Sequence, residues 1–96
     1  MTVDQKLAKI GFNKVYEDVR SVRYERYDKK YDYYHTVCIE RRSVWNEFRL
    51  QSYDKNLIDT KCVGNTNVAL STYEVKLFLK KMKQKEFEYA RHRMWI

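Results

Sequence analysis

The sequence predicts an α+β fold: a short N-terminal helix, an antiparallel sheet of about four strands arranged as a meander, and a long C-terminal helix packed on one sheet face. Two observations predict this order. Apolar residues repeat at helical spacing near both ends of the chain, whereas residues 12–53 alternate with a period of two. Proline is absent, so nothing interrupts strand pairing. The 96 residues are enough for one domain, 1–96.

The N-terminal helix has a signal at each end. Thr2 and Gln5 fit a capping box, in which each side chain satisfies a free backbone N–H group. The apolar residues that follow share one helical face: Val3, Leu7 and Ile10. Gly11 then stands where helices commonly end in a left-handed residue. So short a helix needs tertiary packing to be stable.

The middle of the chain predicts strands of alternating character. We expect a first strand of uncertain phase around Val15, then strands over 19–27, 31–40 and 44–53, separated by short polar turns. The side chains expected to face the helices are Val22, Tyr24, Tyr33, His35, Val37, Ile39, Val44, Phe48 and Leu50. For residues 54–70 we expect a turn or a short extended piece packed down by Leu57 and Val63.

The C-terminal helix is the clearest element. Ser71 and Glu74 form a second capping box, and Leu70 and Val75 match a hydrophobic staple. An apolar stripe follows at helical spacing: Val75, Phe78, Leu79, Met82 and Tyr89. Lysines occupy the remaining faces, so this stripe is expected to pack on the sheet.

Positive charge is concentrated in this helix. The chain carries 20 Lys and Arg against 13 Asp and Glu, a net charge of +7. Residues 76–93 hold seven basic and two acidic residues, which accounts for +5 of that excess. The basic residues define a candidate polyanion-binding face: Lys76, Lys80, Lys81, Lys83, Lys85, Arg91 and Arg93. Such a face either binds nucleic acid without reading its sequence or is simply a solvated helix surface.

Residue patterns for catalysis and metal binding are lacking. The only glycines are Gly11 and Gly64, so no glycine-rich phosphate loop can form. Cys38 and Cys62 belong to no C-x-x-C pair and are expected to be free thiols. His35 and Cys38 fall on opposite faces of one strand, which prevents their pairing, and His35 is expected to be a hydrogen-bonded buried residue. We therefore expect no enzyme, no metal and no cofactor.

The sheet face away from the helices is the most interesting predicted surface. Aromatic and arginine side chains alternate there: Arg23, Tyr27, Tyr34, Trp45, Arg49 and Tyr53. These residue types are frequent at the centres of protein interfaces. They also suit base stacking and phosphate contact. A third interpretation is that they stabilise the sheet through cross-strand pairs.

Four segments carry a resemblance that covers most of the chain. They are residues 7–12 (LAKIGF), 24–26 (YER), 51–54 (QSYD) and 73–83. In these the sequence resembles small proteins encoded by phages and prophages of Gram-positive bacteria, which start with a short helix, continue with tyrosine-rich strands and end with a lysine-rich helix. That group has no assigned activity, so the resemblance transfers no functional residue. It implies an accessory protein that acts by binding.

The resulting expectation is a non-catalytic, phage-encoded binding protein that inhibits a host defence system through protein contacts, as anti-CRISPR proteins do. Its partner would be a host protein or a CRISPR effector. The charge of +7 argues against an acidic mimic of DNA. The alternative is a small basic accessory protein that binds RNA or DNA through the C-terminal face. No signal peptide or membrane span is expected, so the predicted location is the cytoplasm of the bacterial host.

Overall fold

The computed structural model describes residues 1–55 and 68–94. Its elements follow the predicted order: α1 (Val3–Lys9), β1 (Asn13–Glu17), β2 (Ser21–Asp28), β3 (Tyr33–Arg41), β4 (Phe48–Asp54) and α2 (Thr72–Met94). The strands pair in chain order as one antiparallel meander. The short N-terminal helix and the long C-terminal helix contribute to the same core as the sheet, which confirms the predicted α+β class.

Helix α1 begins and ends as the sequence predicts. The Gln5 amide donates to the Thr2 hydroxyl (3.1 Å), and the Thr2 amide donates to the Gln5 side chain (2.8 Å). The chain leaves the helix at Gly11, whose φ of +96° favours glycine. A Cβ atom there would also lie 3.0 Å from the Arg26 side chain. The next residue, Phe12, is fully buried and anchors the helix to the core.

A β-bulge explains why the phase of the first strand could not be read from the sequence. Lys14 pairs with Tyr24 and Tyr16 pairs with Arg23, so Val15 is the extra residue of β1. The bulge reverses the alternation of side chains between the two sheet faces, so that Lys14 and Glu17 both lie on the face that carries the helices. Their side chains form an ion pair there (2.8 Å).

The start of the fourth strand was predicted wrongly. Strand β4 begins at Phe48 rather than at Val44, and Val44 is exposed. The Trp45 amide donates to the Arg42 carbonyl (3.0 Å), which closes a turn. Asn46 then adopts a left-handed conformation with φ of 55°, which a regular strand does not contain. Asparagine tolerates this conformation better than most residues, so Asn46 was the sequence signal for the turn.

The core lies between the sheet and the two helices. The buried apolar residues are Val3, Leu7, Phe12, Val22, Tyr24, Val37, Ile39, Phe48, Leu77 and Phe78. Three of the rings pack edge to face, with Phe78 5.1 Å from Phe12 and 5.6 Å from Tyr24. Edge-to-face contact adds about 0.5–1.5 kcal/mol per pair to the energy of burial.

Helix α2 begins at the predicted capping box, but its buried face is rotated from the predicted stripe. The Glu74 amide donates to the Ser71 hydroxyl (3.2 Å) and the Ser71 amide to the Glu74 carboxylate (2.8 Å). Phe78 is buried as expected, whereas Leu79 is 45% exposed and Leu77 takes its place inside. The rotation brings two lysines, Lys81 and Lys85, onto the buried face.

The approach to α2 is anchored on the last strand. The Val68 amide donates to the Ser52 carbonyl (3.1 Å), and the Ser52 hydroxyl donates to the Val68 carbonyl (2.7 Å). Leu70 packs against the core. The turn or extended piece predicted for 54–70, with Leu57 and Val63 packed down, lies mostly outside the described residues.

Candidate binding surfaces

The strand register brings five of the six predicted interface residues to one side of the sheet. Directly paired residues point to the same face of an antiparallel sheet. Tyr27 is paired with Tyr34, and Tyr53 is paired with Thr36. The remaining pairs extend the same surface: Arg23 with Cys38, Cys38 with Gln51, and Glu40 with Arg49. We call this surface, opposite the helices, the open face.

Trp45 joins the open face although it precedes the strand. The guanidinium of Arg49 lies 4.7 Å from the centre of its ring system, and that of Arg42 lies 5.0 Å away. Both contacts are within the range of cation–π attraction. Trp45 is only partly exposed because its two arginine neighbours cover it. At the other end of the face, the exposed rings of Tyr27 and Tyr34 lie 5.2 Å apart.

Two small side chains in the middle of the open face are covered by their neighbours. Thr36 and Cys38 are buried although they lie on the side opposite the helices. The Thr36 hydroxyl oxygen is buried and has no hydrogen-bond partner among residues 1–55 and 68–94. Burial also raises the pKa of the Cys38 thiol to about 11, which keeps it protonated and unreactive at neutral pH.

Charges on the open face largely cancel. Ion pairs join Arg42 to Glu40, Arg49 to Glu47, and Lys55 to Glu25, with distances of 3.1–3.3 Å. Arg23 differs from these cations: its guanidinium lies 5.9 Å from the ring of Tyr16, and it forms no ion pair within the described residues. The open face is therefore close to neutral, and Arg23, which is paired across the strands with Cys38, is the one cation there without an ion pair among the described residues.

His35 is a buried structural residue, as predicted. Its Nε2 lies 2.6 Å from the Ser52 hydroxyl, and its Nδ1 lies 3.4 Å from the Arg26 guanidinium. Because the Ser52 proton is donated to Val68, Nε2 must donate to Ser52, and Nδ1 accepts from Arg26. This is the neutral imidazole. Burial, together with the charge of Arg26, lowers the pKa of His35.

The predicted polyanion face needs a correction, since two of its seven residues are not on the surface. Lys81 and Lys85 are buried. Lys85 lies 3.1 Å from Glu17, and Lys81 lies 3.3 Å from Glu17 and 3.4 Å from Asp4. Their distant partners could not be read from local helical spacing. Together with Lys14, these side chains form what we call the ion network.

The ion network connects three elements. Asp4 lies on α1, Lys14 and Glu17 on β1, and the two buried lysines on α2. Burial alone would raise the pKa of the Asp4 and Glu17 carboxyls, but hydrogen bonds and nearby lysines outweigh it and lower both pKa values. Hydrogen bonds to Glu17 and Asp4 raise the pKa of Lys14 to about 12. Asp4, Glu17 and Lys14 are therefore charged at neutral pH.

The other five predicted cations are exposed on α2: Lys76, Lys80, Lys83, Arg91 and Arg93. They share the outside of the helix with two apolar side chains, Leu79 and Phe87, which are 45% and 65% exposed. Sequence analysis did not single out Arg20 and Arg41, which lie with Arg93 around the ring of Tyr89. No local pattern could reveal that grouping, because its members come from distant parts of the chain.

The structure covers only part of the predictions about cysteine, glycine, metal binding and membrane spans. Cys62 and Gly64 lie outside the described residues. Within 1–55 and 68–94, no group of three or more His, Cys, Asp or Glu side chains is arranged to hold a metal ion. Over the same residues, no helix combines the length and the hydrophobicity needed to cross a membrane.

Comparison with known proteins identifies no relative from which the function could be inferred. The chain has no significant match among protein-family models, curated proteins or solved structures. Its function must therefore be argued from its own surfaces.

Proposed function

We propose that this chain is a non-catalytic binding protein whose open face docks on another protein. The observation that carries the proposal is the gathering of Arg23, Trp45, Arg49 and three tyrosines on one sheet face with nothing in the described residues packed over it. Tyrosine, tryptophan and arginine are the residue types that dominate binding energy at protein interfaces. The partner we propose is a component of a bacterial host's defence machinery, with a CRISPR effector as the specific case.

Charge favours a protein partner over nucleic acid on this face. Nucleic-acid binding depends on cations that neutralise phosphates. On the open face the Arg42, Arg49 and Lys55 charges are already matched by carboxylates. A polyanion would have to displace those carboxylates, whereas a protein surface of mixed polarity can be accommodated around them.

Arg23 indicates the chemistry of the contact at the centre of the open face. It is exposed and forms no ion pair with a described residue. Its guanidinium can therefore donate to an acceptor. We propose that the partner places an Asp or Glu carboxylate against Arg23, with the aromatic side chains around it.

The alternative remains a nucleic-acid-binding protein that uses the outside of α2. The supporting observation is that Lys76, Lys80, Lys83 and Arg91 are exposed and form no ion pair with a described residue. This alternative predicts that any captured protein depends on bridging RNA or DNA. The same experiment can therefore separate the two proposals by including a nuclease.

The test is affinity capture from a Gram-positive bacterial lysate, with and without nuclease. Trp45→Ala should lower capture of the partner about thirtyfold or more, corresponding to about 2 kcal/mol or more if Trp45 is a hot spot. Arg23→Gln should weaken capture in the same direction. Phe87→Ala is the matched control, because Phe87 is also an exposed aromatic residue but lies on α2.

A partner captured equally by wild type and Phe87→Ala, lost with Trp45→Ala and resistant to nuclease supports the proposal. Capture that disappears with nuclease supports the alternative, and capture unchanged in Trp45→Ala contradicts the open-face proposal. The specific case is tested with a purified CRISPR effector, its guide RNA and target DNA. Cleavage should be inhibited by wild type and restored by Trp45→Ala. A thermal melt of each variant checks that it is folded.

A further inference from the structure

Three arginine side chains converge on one aromatic ring at the end of the sheet. The guanidinium carbons of Arg20, Arg41 and Arg93 lie 5.9, 4.6 and 5.8 Å from the centre of the Tyr89 ring. They line a cavity of about 260 Å³ together with the polar side chains of Ser43 and Asn46. We call this cavity the arginine pocket.

The backbone holds two of the three arginines in fixed relation. The Arg41 amide donates to the Arg20 carbonyl (2.9 Å), so the end of β3 is tied to the turn before β2. The Arg41 guanidinium donates to the side-chain oxygen of Asn46 (2.8 Å). Asn46 is in turn positioned by its left-handed conformation. Arg93 enters from the last turn of α2.

The arginine pocket lacks the negative charge that accompanies the buried lysines of the ion network. None of the three arginines forms an ion pair with a residue in 1–55 or 68–94. Their attraction to the Tyr89 ring is worth about 0.5–2 kcal/mol each. The carboxyl end of α2 adds only about half a negative charge. Three guanidinium charges less this half charge leave roughly 2.5 positive charges without a matching negative charge.

Unbalanced guanidinium groups around a polar cavity match the chemistry of an oxyanion. Arginine binds phosphate through paired N–H groups in a planar fork, and several arginines can share one phosphate. The volume of about 260 Å³ is just below the ~300–1,000 Å³ typical of pockets for drug-sized molecules. It therefore suits a single anionic group better than a large apolar ligand.

We propose that the arginine pocket binds a phosphate group. Arg41 and Arg20 hold the phosphate oxygens from the sheet, and Arg93 closes over them from α2. The phosphate can come from the end of a mononucleotide or from the backbone of a nucleic-acid strand. The two sources share the same chemistry but differ in whether the phosphate is terminal. This site is separate from the open face.

The proposal is tested by calorimetric titration of the full chain at low ionic strength. The probes are inorganic phosphate, 5′-AMP, adenosine and a single-stranded oligonucleotide without terminal phosphates. We expect 5′-AMP and inorganic phosphate to bind and adenosine not to bind. Arg41→Gln should weaken binding about tenfold or more, since it removes charge-assisted hydrogen bonds. Lys29→Gln, which removes an exposed cation in the turn between β2 and β3, should stay within about twofold.

Each outcome has a defined meaning. Binding of the oligonucleotide that is weakened by Arg41→Gln places a backbone phosphate in the pocket, and binding of 5′-AMP without the oligonucleotide places a terminal phosphate there. No binding of any phosphate probe, or equal weakening by Arg41→Gln and Lys29→Gln, overturns the proposal. If Arg41→Gln does not fold, Arg20→Gln replaces it, because Arg20 is exposed and its backbone contact is retained.

Discussion

Helix α2 contributes cations to two regions, and only in the first of these regions are the cations paired with described carboxylates. In the ion network, Lys81 and Lys85 are buried and are matched by Asp4 and Glu17. In the arginine pocket, Arg93 meets two further arginines and no described carboxylate. The comparison shows that basic residues on one helix can have different roles. In the first region charge holds the fold together, and in the second it is available to a ligand.

The ion network predicts the largest effect on stability. Lys85 is only 1% exposed and also donates to the backbone carbonyl of Asp18. Lys85→Ala removes a buried cation from the partly exposed Glu17 carboxylate and should cost about 2–4 kcal/mol, somewhat less than breaking a fully buried pair because Glu17 keeps Lys14 and Lys81. Lys83→Ala should change the free energy of unfolding by less than about 0.5 kcal/mol. Urea denaturation of both variants measures the difference, and equal midpoints would show that the network is not structural.

Acid should weaken the network. The pKa values of Asp4 and Glu17 are lowered from their ordinary values of 3.8 and 4.5. Their stabilising contribution is therefore fully present above those values and is lost as pH falls below them. We expect the melting temperature to fall between about pH 5 and pH 3, and to fall less in Glu17→Gln, which has already lost one of the carboxylates. Parallel pH profiles of wild type and variant would contradict this assignment.

Local signals made most of the fold predictable. The capping boxes at Thr2 and Ser71 set the helix starts, and the alternation around Val22 and Val37 set the inward face of the sheet. These signals depend on neighbours a few residues apart. The same reasoning predicted that the open-face residues share one side, because strand parity is local.

Three features could not be predicted because they depend on distant contacts. The bulge at Val15 is visible only through the register with β2. The buried position of Lys81 and Lys85 depends on Glu17, more than 60 residues earlier in the chain. The rotation of α2 that exposes Leu79 follows from the same contacts, since those lysines occupy space that an apolar stripe would have filled.

The contrast between the two regions is tested most directly by urea denaturation of Arg41→Gln beside Lys85→Ala, at low and at high salt. Arg41→Gln relieves repulsion among three cations but loses the Tyr89 contact and weakens the hydrogen bond to Asn46, so stability should change by no more than about 1 kcal/mol. Lys85→Ala should be destabilised at both salt concentrations, because a partly buried pair is screened much less than an exposed one. A loss of stability in Arg41→Gln equal to that of Lys85→Ala would contradict the account, since the arginine pocket would then be part of the structural framework.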